Sequence, residues 1–85
     1  MASPMDLTRR QREVATLVAG GATNREIGDA LGLSDRTAGS YVSHILQRLA
    51  LRSRTELAIW ANEHGLGRAA GAAVHATQPT ATRPS

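Results

Sequence analysis

The sequence predicts an all-α domain, a compact set of four helices followed by a disordered C-terminal tail. Three observations point there. Hydroxyl residues followed three positions later by Gln or Glu recur at Thr8/Gln11, Thr23/Glu26 and Ser53/Glu56, each a pair able to satisfy the other's free backbone amide at a helix start. Behind each start apolar residues return at helical spacing, and no alternating strand pattern competes. Aromatic residues reach only 2% of the chain, as Tyr41 and Trp60, so the core must be aliphatic, which favours small helices over a β-sandwich.

The first helix is expected over about 8–19, with Val14, Leu17 and Val18 facing inward and Gly20-Gly21 as its stop. The second runs over about 24–31, with Ile27, Ala30 and Leu31 inward and Gly32 ending it. A third, over about 35–50, follows Ser34-Asp35 and turns Val42, Ile45, Leu46 and Leu49 to the core. The fourth, over about 54–63, contributes Leu57, Trp60 and Ala61 and closes near Gly65. From Gly67 to Ser85 there is no Leu, Ile, Met or aromatic residue, so residues 67–85 are expected to stay disordered. Residues 1–6 read as a disordered N-terminus or a cloning remnant. The folded part is then Leu7 to Leu66, 60 residues, a size at which stability is marginal and good helix caps matter.

A chain of 85 residues holds one small domain and leaves little room for an enzyme cleft. The absence of cysteine removes disulfides and thiolate metal sites together. No apolar run approaches the roughly 18 residues of a membrane span, and Met1 to Asp6 has neither the basic run nor the apolar stretch of a signal peptide. A cytoplasmic location is therefore expected. Ten basic residues, every one an arginine, outweigh seven acidic ones for a net charge of +3 and a pI near 11.1, a bias toward an anionic partner.

Between the second and third helices lie only Gly32, Leu33 and Ser34, the short glycine-containing connection of a helix-turn-helix unit over about 24–43, with Leu33 placed to drop into the core. Such hairpins also occur as plain scaffolding, so the third helix decides. At about 100° per residue, Ala38, Val42, Ile45 and Leu49 cluster on its core side. Arg36, Ser40, Ser43 and Gln47 recur on the opposite side as a polar stripe about 15 Å long, uninterrupted by an acidic residue. Solvated helices usually mix both charge signs, whereas one arginine, two hydroxyls and an amide are side chains able to reach base edges. A merely solvated face is the alternative.

In these residues the sequence resembles the LuxR/GerE-type helix-turn-helix domain of bacterial transcription regulators. The match covers Leu7 to Leu66: Leu7-Thr8 with Arg12-Glu13-Val14, Thr23-Asn24-Arg25-Glu26-Ile27 with Leu31, then Leu33-Ser34 and Thr37. It continues through Ile45-Leu46, Arg48-Leu49, Leu51, Arg54-Thr55-Glu56-Leu57 and Glu63-His64-Gly65-Leu66. The resemblance implies a LuxR-type four-helix fold, a third helix that enters the major groove of double-stranded DNA, and a fourth that commonly mediates dimerisation. Departures fall in the third helix. Where the family usually has Val-Lys-x-His after Thr37, this chain has Ala38, Gly39, Ser40 and Tyr41, so the lysine that typically faces DNA is missing. Gly39 should also cost about 1 kcal/mol of helix propensity relative to Ala. Ala50 replaces the family's usual glycine and is expected to lengthen the third helix slightly.

Base readout is therefore expected from Arg36, Gly39, Ser40, Ser43 and Gln47. Phosphate contacts are expected from Asn24 and Arg25 at the start of the second helix, from Ser34 and Thr37 at the start of the third, and from Arg48, Arg52 and Arg54. Each arginine also reads as a solvated charge or as a partner of Glu26, Glu56 or Glu63. The fourth helix has apolar residues in nearly every direction, so Ala58 and Ile59, with Asn62 beside them, are a candidate homodimer seam. That they simply close a small core is the alternative.

Other chemistry is poorly supported. Ser40 and His44 lie one turn apart near Asp35, but no third group or oxyanion pocket accompanies them. His44, His64 and His75 lack metal-ligand spacing, and Gly20-Gly21 is a helix stop rather than a phosphate loop. No enzyme activity, metal or cofactor is expected. The leading expectation is the DNA-binding effector domain of a bacterial transcription regulator, with a second copy of the chain and RNA polymerase as further candidate partners. A degenerate helix-turn-helix serving protein interaction or dimerisation is the second. The chain is read either as the C-terminal piece of a longer regulator or as a free-standing module.

Overall fold

Each of the four helices begins on a hydroxyl that accepts a backbone N–H from three residues ahead. In the computed structural model, which describes residues 3–67, α1 is Arg9–Ala19, α2 is Asn24–Leu31, α3 is Asp35–Leu49 and α4 is Arg54–Glu63. Thr8 and Thr23 accept from Gln11 and Glu26, whose side chains accept from Thr8 and Thr23 in return at 2.9 and 2.8 Å. Ser34 accepts from Thr37 at 3.0 Å. The expected pair at α4 forms by half. Ser53 accepts from Glu56, but the Glu56 carboxylate reaches past it to the Arg52 N–H at 2.7 Å. Most of the expected disordered tail, 68–85, lies outside the described residues.

Residues 4–6, expected to be disordered, form a 3-10 turn whose first amide, that of Ser3, donates to the Asp6 carboxylate at 2.8 Å. Long side chains fasten this lead-in. Arg48 donates to the Asp6 carbonyl oxygen at 3.1 Å, and Arg12 to that of Leu7 at 2.9 Å.

The core is one aliphatic cluster of Leu7, Val14, Ala15, Val18, Ile27, Ala38, Val42, Ile45, Leu49, Leu57 and Ala61, closed by Trp60. Helix α1 packs on α4 and α3, while α2 packs chiefly on α3. Leu17, Leu31 and Leu46 are partly buried against the cluster, but Ala30 is exposed. Leu33 does not enter the core as expected. It is half-buried, and its main chain makes the contact instead: the Leu33 N–H donates to the Gly28 carbonyl at 2.8 Å. A Cβ on Gly28 would fall on the Leu33 carbonyl oxygen, so only glycine lets α2 meet the turn this closely.

Helix α3 is not lengthened by Ala50. It ends at Leu49, and Ala50 adopts the left-handed conformation, φ 57° and ψ 39°. That geometry lets the Leu51 N–H donate back to the Leu46 carbonyl at 2.9 Å, completing the glycine-type stop with a residue that has a Cβ. The cause is packing: Leu51 must turn back to lie against the core.

Candidate nucleic-acid interface

Helix α3 buries Ala38, Val42, Ile45 and Leu49. The opposite side is therefore turned outward, and Arg36, Ser40, Ser43 and Gln47 are all exposed there, with His44 also exposed and Gly39 half-buried. None of these side chains is hydrogen-bonded or ion-paired to another described residue. The stripe stands at the surface with its donors and acceptors available.

At the near end of α3, the Ser34 hydroxyl donates to Thr37 Oγ1 at 2.9 Å while accepting the Thr37 amide. Ser34 is thus occupied within the cap, and the Thr37 hydroxyl keeps its own proton for an outside acceptor. Arg25 is exposed at the start of α2. Among the described residues the ion pairs join Arg9 and Arg10 to Glu13. Glu26 and Glu56 cap helices instead of pairing with arginines, and among the described residues no carboxylate pairs with Arg25, Arg36 or Arg52. Arg48 keeps its guanidinium charge while its Nε holds the lead-in turn.

Arg54 differs from the other arginines. It is half-buried, and both terminal nitrogens are engaged inside the chain, Nη1 donating to Asn24 Oδ1 and Nη2 to the Ala22 carbonyl, each at 2.6 Å. Asn24 is therefore held by a residue thirty positions away. The structure brings Asn24 beside α3, since a Cβ on Gly39 would stand 3.1 Å from Asn24 Nδ2. Gly28 is the residue of this unit that the sequence reading passed over; an isolated glycine inside a helical pattern was its signal.

On α4, Ile59 is 53% exposed, Ala58 half-buried and Asn62 exposed. Asn62 donates to the Ala58 carbonyl at 3.0 Å and more loosely to that of Ala19 at 3.5 Å. Ala58 lines a shallow hollow of about 210 Å³ together with Val18, Gly21, Ala22, Arg54 and Thr55. At the helix end the His64 ring lies 4.3 Å from that of Trp60, centroid to centroid. Its Nδ1 stands 2.8 Å from the Trp60 carbonyl, an acceptor only, so Nδ1 bears the proton. Among the described residues no helix is long and apolar enough to cross a membrane, and no group of His, Asp and Glu is placed to hold a metal ion.

Fold and exposed face together define a helix-turn-helix domain whose second helix of the pair turns an unpaired polar stripe outward. Residues 5–61 match the model of the bacterial regulatory proteins of the luxR family, and the chain belongs to that family. It is 40% identical over 60 residues to the uncharacterized transcriptional regulatory protein YhcZ of Bacillus subtilis, covering 71% of this chain and 28% of that protein. It is 41% identical over 59 residues to the transcriptional regulatory protein DegU of Brevibacillus brevis, covering 69% and 25%. The response regulator protein VraR of Staphylococcus aureus is 38% identical over 60 residues, covering 71% and 29%. The chain thus spans less than a third of the length of these relatives.

Proposed function

We propose that this domain binds DNA sequence-specifically as the effector module of a bacterial transcription regulator, with α3 lying in the major groove. The observation that supports this most is the exposed stripe of Arg36, Ser40, Ser43 and Gln47, opposite the buried face and without a side-chain partner among the described residues. An α-helix fits the major groove, and side chains of these types reach base edges there. Arg25, Thr37, Arg48 and Arg52 would hold phosphates on either side, and Asn24 contributes at the start of α2. In this reading a second copy joins through Ile59 and its neighbours on α4 when both sit on DNA, spaced by about one helical turn. A cytoplasmic setting and contact with RNA polymerase belong to the same reading. Family membership and the regulator names of the relatives support it.

The test is a titration of the purified domain against genomic-fragment DNA at two salt concentrations. Three to five phosphate contacts per protomer should give a slope of log K against log salt of roughly −3 to −5, and a steeper one implies two protomers bound. Undetectable or salt-insensitive binding at low salt defeats the reading in favour of a protein-interaction module.

A further inference from the structure

Arg54 and Asn24 open two different helices, α4 and α2, and their bond fixes which way an amide faces. A guanidinium can only donate. The Asn24 oxygen therefore faces Arg54 at 2.6 Å, and its NH2 group is turned the other way. What lies there is α3 at Gly39, whose absent Cβ would stand 3.1 Å from Asn24 Nδ2. A Cβ at position 39 would require a few tenths of an ångström of give from an amide already held by a half-buried arginine, itself anchored on the Ala22 carbonyl at 2.6 Å. Among the described residues the Asn24 NH2 donates to no acceptor.

We propose that Arg54 is a positioning residue for DNA binding. It does not touch the duplex but acts through Asn24, whose amide NH2 donates to a non-bridging phosphate oxygen beside the groove that α3 enters. The proposal rests on the DNA-binding reading given above. Three features select phosphate over a base edge. The first helix of a helix-turn-helix unit crosses the sugar–phosphate backbone. Bidentate reading of adenine needs a donor and an acceptor from the same amide, and here Arg54 occupies the acceptor. The charge-assisted bond from Arg54 also polarises the amide, making its N–H groups stronger donors toward an anion. Gly39 then has a positive role: it leaves room for the Asn24 amide, so an uncharged donor held by an arginine occupies the ground that a side chain at 39 would otherwise take.

Asn24→Asp is the decisive variant. It keeps an oxygen for Arg54 and adds a negative charge at a helix N-terminus, where it is favourable, so the domain should melt no lower than the parent. The donor is replaced by a second carboxylate oxygen, and DNA affinity should fall about tenfold or more. A double-mutant cycle with Arg54→Lys and Asn24→Ala separates the two roles, because lysine retains the charge but lacks the planar fork that aims one nitrogen at Asn24 and the other at Ala22. If Arg54 acts through Asn24, then Arg54→Lys costs affinity in the parent but leaves it within about twofold in the Asn24→Ala background. Additive losses would put Arg54 on the phosphate itself and overturn the proposal. So would Asn24→Asp binding as tightly as a parent that itself binds with the expected salt dependence, a result that leaves the DNA-binding reading intact. A parent that shows no salt-dependent binding overturns both.

Discussion

Gly28→Ala is the substitution whose cost follows most directly from the geometry of the helix-turn-helix unit. The new methyl would fall on the carbonyl oxygen of Leu33, with the Leu33 carbonyl carbon at 3.3 Å and the Ser34 carbonyl carbon at 3.4 Å. All three atoms are main chain, in a turn constrained by the left-handed Gly32 at φ 73° and by the 2.8 Å bond from Leu33 to Gly28. No side-chain rotation can relieve the contact, so α2 and the turn must part by about an ångström to restore ordinary carbon–oxygen spacing. Overpacking of this kind costs about 1–3 kcal/mol, and loss of the Leu33–Gly28 bond adds about 1 kcal/mol. The gain in helix propensity offsets about 1 kcal/mol. The net expectation is about 1–3 kcal/mol of destabilisation, or a Tm lower by roughly 5–20 °C in a domain of this size, read by circular dichroism during thermal and urea unfolding. Ala30→Gly, on the exposed side of the same helix, is the control and should cost only about 1 kcal/mol. A Gly28→Ala protein as stable as its parent would refute the close approach of α2 to the turn.

Other expectations follow from single residues. Ala50→Gly removes a Cβ from a left-handed residue and should raise stability by about 0.5–1 kcal/mol after the entropy cost of glycine; a lower melting temperature would contradict the observed helix stop. Arg36→Ala should relax base preference at its position by about 1–3 kcal/mol, whereas Arg25→Ala should weaken all sequences alike and flatten the salt slope by about 1, both measured by competition against random DNA. Ile59→Asp, on an exposed side chain, should leave the monomer folded; if α4 is the seam it should halve the salt slope and shorten the footprint, and an unchanged footprint would place the seam elsewhere.

Helix boundaries were legible because their causes are local. A hydroxyl at the cap and the amide it accepts three residues on lie within one turn of each other, and Thr8, Thr23 and Ser34 behave as their neighbours predict. The exposed stripe of α3 was legible for the same reason, since helical periodicity alone separates it from Val42 and Ile45. What escaped depends on contacts across the fold. Gly28 looks like a weak point in a helix until the Leu33 main chain is set against it. Arg54 reads as one more surface charge until Ala22 and Asn24, some thirty residues earlier, are brought beneath it. Ala50 misled because a residue with a Cβ ordinarily prolongs a helix, whereas here the packing of Leu51 forces the left-handed turn. Glu56 was paired correctly with Ser53 but chose the amide before it, a difference of one residue that spacing cannot resolve.

The link from Arg48 to the Asp6 carbonyl joins positions 42 residues apart. It ties the path by which the backbone enters the domain to the last turns of the helix that faces outward. The lead-in therefore meets the fold twice, through this bond to α3 and through the Leu7 side chain in the core. The lead-in strap is thus pinned at two points, by the guanidiniums of Arg48 and Arg12.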